Sequence, residues 1–318
     1  MRILIVLVPG FSHLSLGAVL EPMHMLGVLA PETDMQIKMG SMSGPVVPSA
    51  AGIGVSCDLS LAECLRSLGG SGRPNAIVLC CGLRTPYKSQ GDIQKLLRAA
   101  DRAGVAILGT GCAAWKMADA GILQRGSGTV HWTTLPAFAE RHQDIAARDA
   151  LFVTSGNATS TPGDAAALDM ILSYIQGKFG EHLAQQICNH LMISYPRPGD
   201  THQPSDRAKL MRDAPPKLRQ IAGLMSEHLE NPLLVRDIAV RVGLSVRQTE
   251  RLFAQHLGQS PKAYYLKLRL HHGRMLIEQT SMSILEVSLA SGFSSRRVFT
   301  QYYRELFGFS PAHTRRTP

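Results

Sequence analysis

Cys112, His131 and the carboxylates of Glu21 and Asp164 are the residues in the first 195 positions whose types and placement could do chemistry. Cys112 stands in Gly111-Cys112-Ala113, after the apolar run 105–108 and before a helix-like stretch, 113–120. A buried strand turning sharply into a helix is a nucleophile elbow: one side chain is presented at the strand end, with backbone N–H groups and the helix dipole aimed at it. A thiol there can be held as a thiolate of lowered pKa. His131, in Thr129-Val130-His131-Trp132, supplies a base or a hydrogen bond, and Glu21 or Asp164 a third member. This set reads as a Cys-His hydrolase, as a binding pocket or as plain core. Phe11, Trp115 and Trp132 follow strand-like runs, near the edge where open α/β sheets bind ligands. Three aromatics can cage a quaternary or primary amine through cation–π contacts, or can simply cover the core. With His131 for a carboxylate and Asp164 or Glu21 for an ammonium, the ligand they suit is a zwitterionic amine such as an amino acid or a betaine.

Rigid elements must hold these groups. Strand-like runs at 3–8, 75–80 and 105–108 alternate with helix-like stretches at 16–29, 92–103 and 113–120, and 165–175 and 181–192 form a closing helical pair. That alternation predicts a flavodoxin-like parallel sheet flanked by helices. At 318 residues the chain is about twice a usual domain, so two domains are expected. Between Tyr195 and Pro216 the sequence is dense in Pro, Gly and polar residues, and beyond it no strand-like alternation survives. The expected division is an α/β domain over 1–195, a linker over 196–216 and an all-α domain over 217–318. Only Met1-Arg2 precede the first apolar run, too little for a signal peptide, and no run approaches the roughly 20 residues of a membrane helix. A cytoplasmic protein is expected. The six cysteines show neither a CxxC pair nor zinc spacing, so no structural metal, disulfide framework or cofactor is expected.

Charge separates the two parts. Residues 1–205 carry 15 Lys and Arg against 15 Asp and Glu, whereas residues 206–318 carry 18 against 9. A basic module joined to a neutral one suggests a polyanion as partner. Within it, the segment from Ile238 to Ser245 matches that from Val287 to Ser294 at an offset of 49, and Gly258-Gln-Ser-Pro261 matches Gly308-Phe-Ser-Pro311 at an offset of 50. The extra residue is assigned to the second helix of the second copy. A helix, a Gly at the turn, an apolar plug and a Ser N-cap make a helix-turn-helix, here in two copies joined by a helix over 261–279. Leu252, Phe253 and Leu257, like Phe299, Tyr303 and Phe307, face the core. Arg247, Gln248, Glu250 and Arg251, with Arg296, Arg297, Thr300 and Gln301, are left for base edges of double-stranded DNA, and the capping residues Ser245 and Ser295 for phosphates. Glu250 can accept from cytosine or orient Arg251.

From Lys217 to Pro311 the sequence resembles the AraC/XylS DNA-binding domain, whose closing pattern stands here as Gly292-Phe293-Ser294-Ser295 and Phe307-Gly308-Phe309-Ser310-Pro311. The resemblance implies two recognition helices in successive major grooves on one DNA face, with Arg247, Glu250, Arg251, Arg296, Arg297 and Gln301 as base readers. Residues 1–195 resemble the class I glutamine amidotransferase-like (PfpI-type) domain, in the version fused ahead of AraC-type domains in GlxA-like regulators. The resemblance rests on the opening 3–11, Leu20-Glu21-Pro22, Cys81-Gly82, the segment 118–123, 129–132 and Ala166-Ala167-Leu168-Asp169. In the resembled enzymes the nucleophile lies ten residues before the Gly matched by Gly121; that position here is Gly111, and Cys112 is displaced by one. The resemblance therefore implies a pocket that binds rather than cleaves, lined by Phe11, Glu21, Gly82, Gly111, Cys112, Trp115, His131, Trp132 and Asp164. The expected protein is a ligand-responsive transcription regulator, more usually an activator, working as a homodimer with DNA, a small effector and RNA polymerase as partners. The competing reading is a Cys-His hydrolase or amidotransferase tethered to DNA.

Overall fold

Ile3 to Leu7 are buried without interruption, so this strand needs cover on both faces, the condition under which parallel sheets form. In the computed structural model the described residues are 1–70, 72–83, 91–204, 214–280 and 282–316. In chain order the first part comprises β1 (Arg2–Leu7), α1 (His13–Leu29), β2 (Gln36–Ser41), β3 (Val46–Pro48), β4 (Gly54–Ser56), β5 (Leu59–Ser60), α2 (Leu61–Ser67), β6 (Ala76–Cys80), α3 (Gly91–Arg102), β7 (Ala106–Thr110) and α4 (Ala113–Asp119). It continues through β8 (Ser127–Gly128), α5 (Leu135–Arg141), β9 (Ala146–Ala147), β10 (Val153–Ser155), β11 (Ala158–Ser160), α6 (Ala165–Phe179) and α7 (Glu181–His190).

Seven strands form one sheet in the order β10-β11-β7-β6-β1-β2-β5, parallel throughout except that β10 pairs antiparallel with β11. Ile3, Ile5 and Leu7 join the core made with α1, α6 and α7, while Leu4 and Val6 approach Gly40 beside Cys64 of α2. The order reverses at β1, which neighbours both β2 and β6, so the ligand crevice of such a sheet opens at the carboxyl ends of these strands. The hairpin β3–β4 and the pair β10–β11 were not anticipated: three-residue strands carry too little periodicity to register.

The chain divides into two units, Met1–Gln203 and Pro204–Pro318. The stretch expected to be a linker is therefore only partly one. Asp169 on α6 is buried and needs a cation, and Arg197 supplies it: its backbone N–H donates to Oδ1 at 2.7 Å and its guanidinium to Oδ2 at 2.6 and 3.1 Å. Gly199 and Thr201 accept from Leu151 N–H, and Gln203 is buried. Residues 196–203 are thus bound to the first unit, residues 205–213 lie outside the described residues, and Pro216 already opens a helix.

The second unit is all-α: α8 (Pro216–Glu227), α9 (Val235–Val242), α10 (Val246–Leu257), α11 (Pro261–Gln279), α12 (Ile284–Ala290), α13 (Arg296–Phe307) and α14 (Pro311–Arg316). Ser245, Ser260, Ser283 and Ser295 cap α10, α11, α12 and α13 through their hydroxyls. Because α10 and α13 are each twelve residues and begin fifty apart, the extra residue of the second copy sits in its turn, Gly292-Phe293-Ser294-Ser295, and not in its helix. Thr249, rather than Leu252, takes the place equivalent to Phe299: both are fully buried, whereas Leu252 is half-buried. Among the described residues no helix is long and apolar enough to cross a membrane.

Gly292 has φ +72°, and a Cβ there would collide with the carbonyl oxygens of Leu229 and Glu230 and with Pro232 Cδ at 2.8 Å. Gly292→Ala is expected to lower the unfolding free energy of the second unit by at least about 2 kcal/mol in urea titrations, since the left-handed φ alone costs about 1 to 2. A change under about 0.5 kcal/mol would show that the turn relaxes freely.

Candidate effector site and nucleic-acid interface

Four chain segments converge at the carboxyl edge of the sheet. Gly10 follows β1, Cys81-Gly82 follow β6, Gly111-Cys112 follow β7 and Gly163-Asp164 follow β11. The residue at the apex of the elbow is Gly111, with φ +63°. A Cβ on it would stand 2.5 Å from the Cys81 carbonyl oxygen and 2.9 Å from that of Gly82, so no side chain fits where a nucleophile would be presented. Cys112 follows at ordinary φ (−82°) as the N-cap of α4 and is buried. Its N–H, the elbow donor that would stabilise an oxyanion, donates instead to Gly82 O at 3.2 Å. The neighbouring thiols are kept protonated: burial pushes Cys80 up to about 12, and burial and the adjacent Cys112 thiol raise Cys81. The elbow is present without room for a side chain at its apex.

Asp164 is the most constrained polar residue here. Its backbone is strained, with φ 50° and ψ −130°. Ser12 Oγ donates to its Oδ1 at 2.5 Å, Ser15 Oγ to the same oxygen at 3.5 Å, and the Asp164 N–H donates to Ser15 Oγ at 2.7 Å. Ser12 also caps α1, so the carboxylate lies at the N-terminal end of that helix, where its charge complements the dipole. Asp164 is nonetheless exposed and open to a ligand. Burial lowers the pKa of the His131 ring, partly opposed by the Asp164 charge, and so favours the neutral imidazole. His131 Nδ1 lies 2.8 Å from Thr133 Oγ1 and accepts from Thr133 N–H, which leaves Nε2 as the protonated nitrogen. Trp132 tilts against the His131 ring at 5.3 Å and is 40 % exposed.

The other aromatics do not join it. Trp115 is 1 % exposed and packs edge-on against Phe138 at 5.2 Å, and Phe11 is fully buried in the core of α1, α6 and α7. Both rings are spent on the core while Trp132 is exposed, so no three-ring cage forms. Glu21 is exposed six residues beyond Ser15, about 9 Å further along α1, and is replaced at the site by the two serines. Ser12 and Ser15 escaped the sequence reading because a serine pair at a helix start reads as a cap.

In the second unit both turns are held from outside the motif. Lys217 Nζ donates to Val242 O at 2.6 Å beside Gly243, which has φ +70°. Arg269 of α11 donates to Ser291 O at 2.9 Å and to Gly292 O, and stacks over Phe293 at 4.2 Å. Each cation meets the carboxyl end of a helix, a placement that sequence reasoning missed. Arg247, Gln248, Glu250, Arg251, Arg296, Arg297 and Gln301 are exposed, and Thr300 is half-buried. Arg296, Arg297, Thr300, Gln301, Arg304 and Glu305 line one groove on α13. Gln248 accepts from Ser245 N–H at 2.8 Å in a capping box, and Gln301 donates to Glu305 at 3.1 Å, so both amides are partly engaged.

The family described as "Helix-turn-helix domain" matches residues 238–317. The chain is 31 % identical over 309 residues to the HTH-type transcriptional regulator CdhR of Pseudomonas aeruginosa, covering 97 % of this chain and 90 % of that one. This chain is an AraC-type transcriptional regulator. It is also 30 % identical over 319 residues to the regulator GlxA of Rhizobium meliloti, covering 99 % and 95 %. The first unit of this AraC-type regulator has the class I glutamine amidotransferase-like fold: DJ-1beta of Drosophila melanogaster superposes with a TM-score of 0.51 at 19 % identity, over 61 % of this chain and 98 % of that one. The helix-turn-helix units make DNA its partner.

Gly111→Cys, which restores a thiol at the elbow apex, is expected to lower the unfolding free energy by at least about 2 kcal/mol, from the positive φ and the two carbonyl oxygens. An undiminished stability in urea would contradict the crowding.

Proposed function

We propose that the first unit binds a small zwitterionic amine, an amino acid or a betaine, without turning it over, and that this binding controls DNA recognition by the second unit. The observation that carries the reading is Asp164: a carboxylate fixed by Ser12 and Ser15 in a strained backbone, beside neutral His131 and the open ring of Trp132. Strain of this kind is retained where a ligand group must be met in one position. Asp164 and the Trp132 face suit an ammonium, the first by charge-assisted hydrogen bonding and the second by cation–π attraction, while His131 Nε2–H suits a carboxylate. Gly82 and Gly111 contribute backbone, and Cys112 fills the floor. The apex glycine and the engaged Cys112 N–H speak against hydrolysis.

On the DNA side, α10 and α13 enter successive major grooves of one face, with Arg247, Glu250, Arg251, Arg296, Arg297 and Gln301 at base edges and the capping residues Ser245 and Ser295 at phosphates. The regulator acts as a homodimer and activates transcription through RNA polymerase. Leu14 at the start of α1 and Val46 and Ile53 of the adjoining hairpin are exposed and support self-association of the first unit.

Proton NMR saturation transfer on the full chain with pools of amino acids, betaines and polyamines is expected to show binding without new product peaks, with affinity falling roughly 10- to 100-fold in Asp164→Asn. Product peaks that vanish in Cys112→Ala would make the chain an enzyme. Arg297→Ala is expected to cost about 1 to 3 kcal/mol on specific duplexes and to relax preference at one base pair. Equal loss on random duplexes in an anisotropy titration would make Arg297 a phosphate contact.

A further inference from the structure

We infer that Gln203, the last residue of the strap 197–203, is a positioning residue that orders the His131–Trp132 loop, so that the chain leading to the DNA-binding unit and the effector site are mechanically one element. The inference rests on the reading that His131 and Trp132 line an effector site. Gln203 is buried, and its side chain uses both ends. Its Oε1 accepts from Trp132 N–H at 2.8 Å, and its Nε2 donates to Val130 O at 2.9 Å and to Thr129 Oγ1 at 3.1 Å. Three residues, 129, 130 and 132, are thereby tied to one amide, and they flank His131. Thr129 is in turn held from below, its Oγ1 donating to Ala150 O at 3.0 Å.

The strap has its own anchors: Asp169 on α6 touches nothing in the loop, and Asp149 and Leu151 flank the Ala150 carbonyl that also holds Thr129. Arg197 grips Asp169 of α6, Leu151 N–H donates to Gly199 O at 2.9 Å and to Thr201 O at 3.0 Å, and the Gln203 N–H donates to Asp149 Oδ1 at 3.2 Å. A glycine is required at 199 because a Cβ would stand 2.7 Å from the Phe152 ring. The strap therefore docks as a unit, and only its last residue reaches the loop. Beyond Pro204 the chain continues toward α8. A pull on the strap loosens the loop, and by reciprocity an effector that tightens the loop tightens the strap.

Hydrogen–deuterium exchange of the full chain, without any ligand, tests this. Gln203→Met keeps the volume and removes all three hydrogen bonds, and is expected to speed exchange across 129–134 roughly tenfold, with β6 amides unchanged. Arg197→Ala cuts the far anchor, which touches nothing in the loop. It is expected to speed exchange in the strap and in 129–134 together and to shift the emission of exposed Trp132, while Arg197→Lys restores much of both. Loop exchange unchanged in Gln203→Met, or a strap loosened by Arg197→Ala with the loop unmoved, overturns the coupling. Should Arg197→Ala fail to fold, the Gln203→Met measurement decides alone. Neither readout uses an effector, so failure of the binding reading, seen as no saturation transfer from any pool, is distinct from failure of the latch.

Discussion

Everything in the first unit depends on how closely its backbones cross at the carboxyl edge of the sheet. Gly82 lies against the Gly10 carbonyl, Gly111 against the carbonyls of Cys81 and Gly82, and Gly163 against the Gly111 N–H, with no room for side chains between them. The crossing does two things at once. It removes the nucleophile from the apex of an elbow that otherwise has the right strand, turn and helix, and it leaves the Cys112 N–H bonded to a carbonyl where an oxyanion would sit. The exposed carboxylate at this edge, Asp164, has its position set by two serines and a strained main chain.

The second unit solves a different problem with the same economy. Each helix-turn-helix unit needs its turn held in place, and the short helices α9 and α12 bury few side chains of their own. Lys217 and Arg269 brace the two turns from neighbouring helices, and the Gly292 turn rests on the segment 229–232 that precedes the first motif. The joining helix thus carries a cation that braces the turn ahead of α13 as well as a seam of core residues.

Much of this was legible in the sequence. The alternation of apolar runs gave the parallel sheet, the internal repeat gave both motifs, and glycines at 243 and 292 carried their positive φ as turn chemistry demands. The elbow was visible, and so was the displacement of Cys112 by one residue. What escaped were contacts between residues distant in the chain. Ser15 and Asp164 are 149 positions apart and Gln203 and Thr129 are 74 apart, and no local period marks either pair. Proline, glycine and polar residues at 196–203 read as a linker because their anchors, Asp169 and Asp149, lie elsewhere. Trp115 and Phe11 misled for the converse reason: an aromatic after a strand is as able to fill the core as to face a ligand. The extra residue of the second motif was counted correctly and placed in the wrong segment, since an offset locates an insertion only between its flanking matches.

The central claim is that occupancy of the first unit alters DNA binding by the second. The measurement that tests it most directly is an anisotropy titration of the full chain against a duplex selected from a random library, with and without a saturating amine that the chain has been seen to bind. The midpoint is expected to move at least about threefold, a coupling of roughly 0.6 kcal/mol or more, and the shift to disappear in Asp164→Asn. Superimposable curves with the amine bound would contradict it.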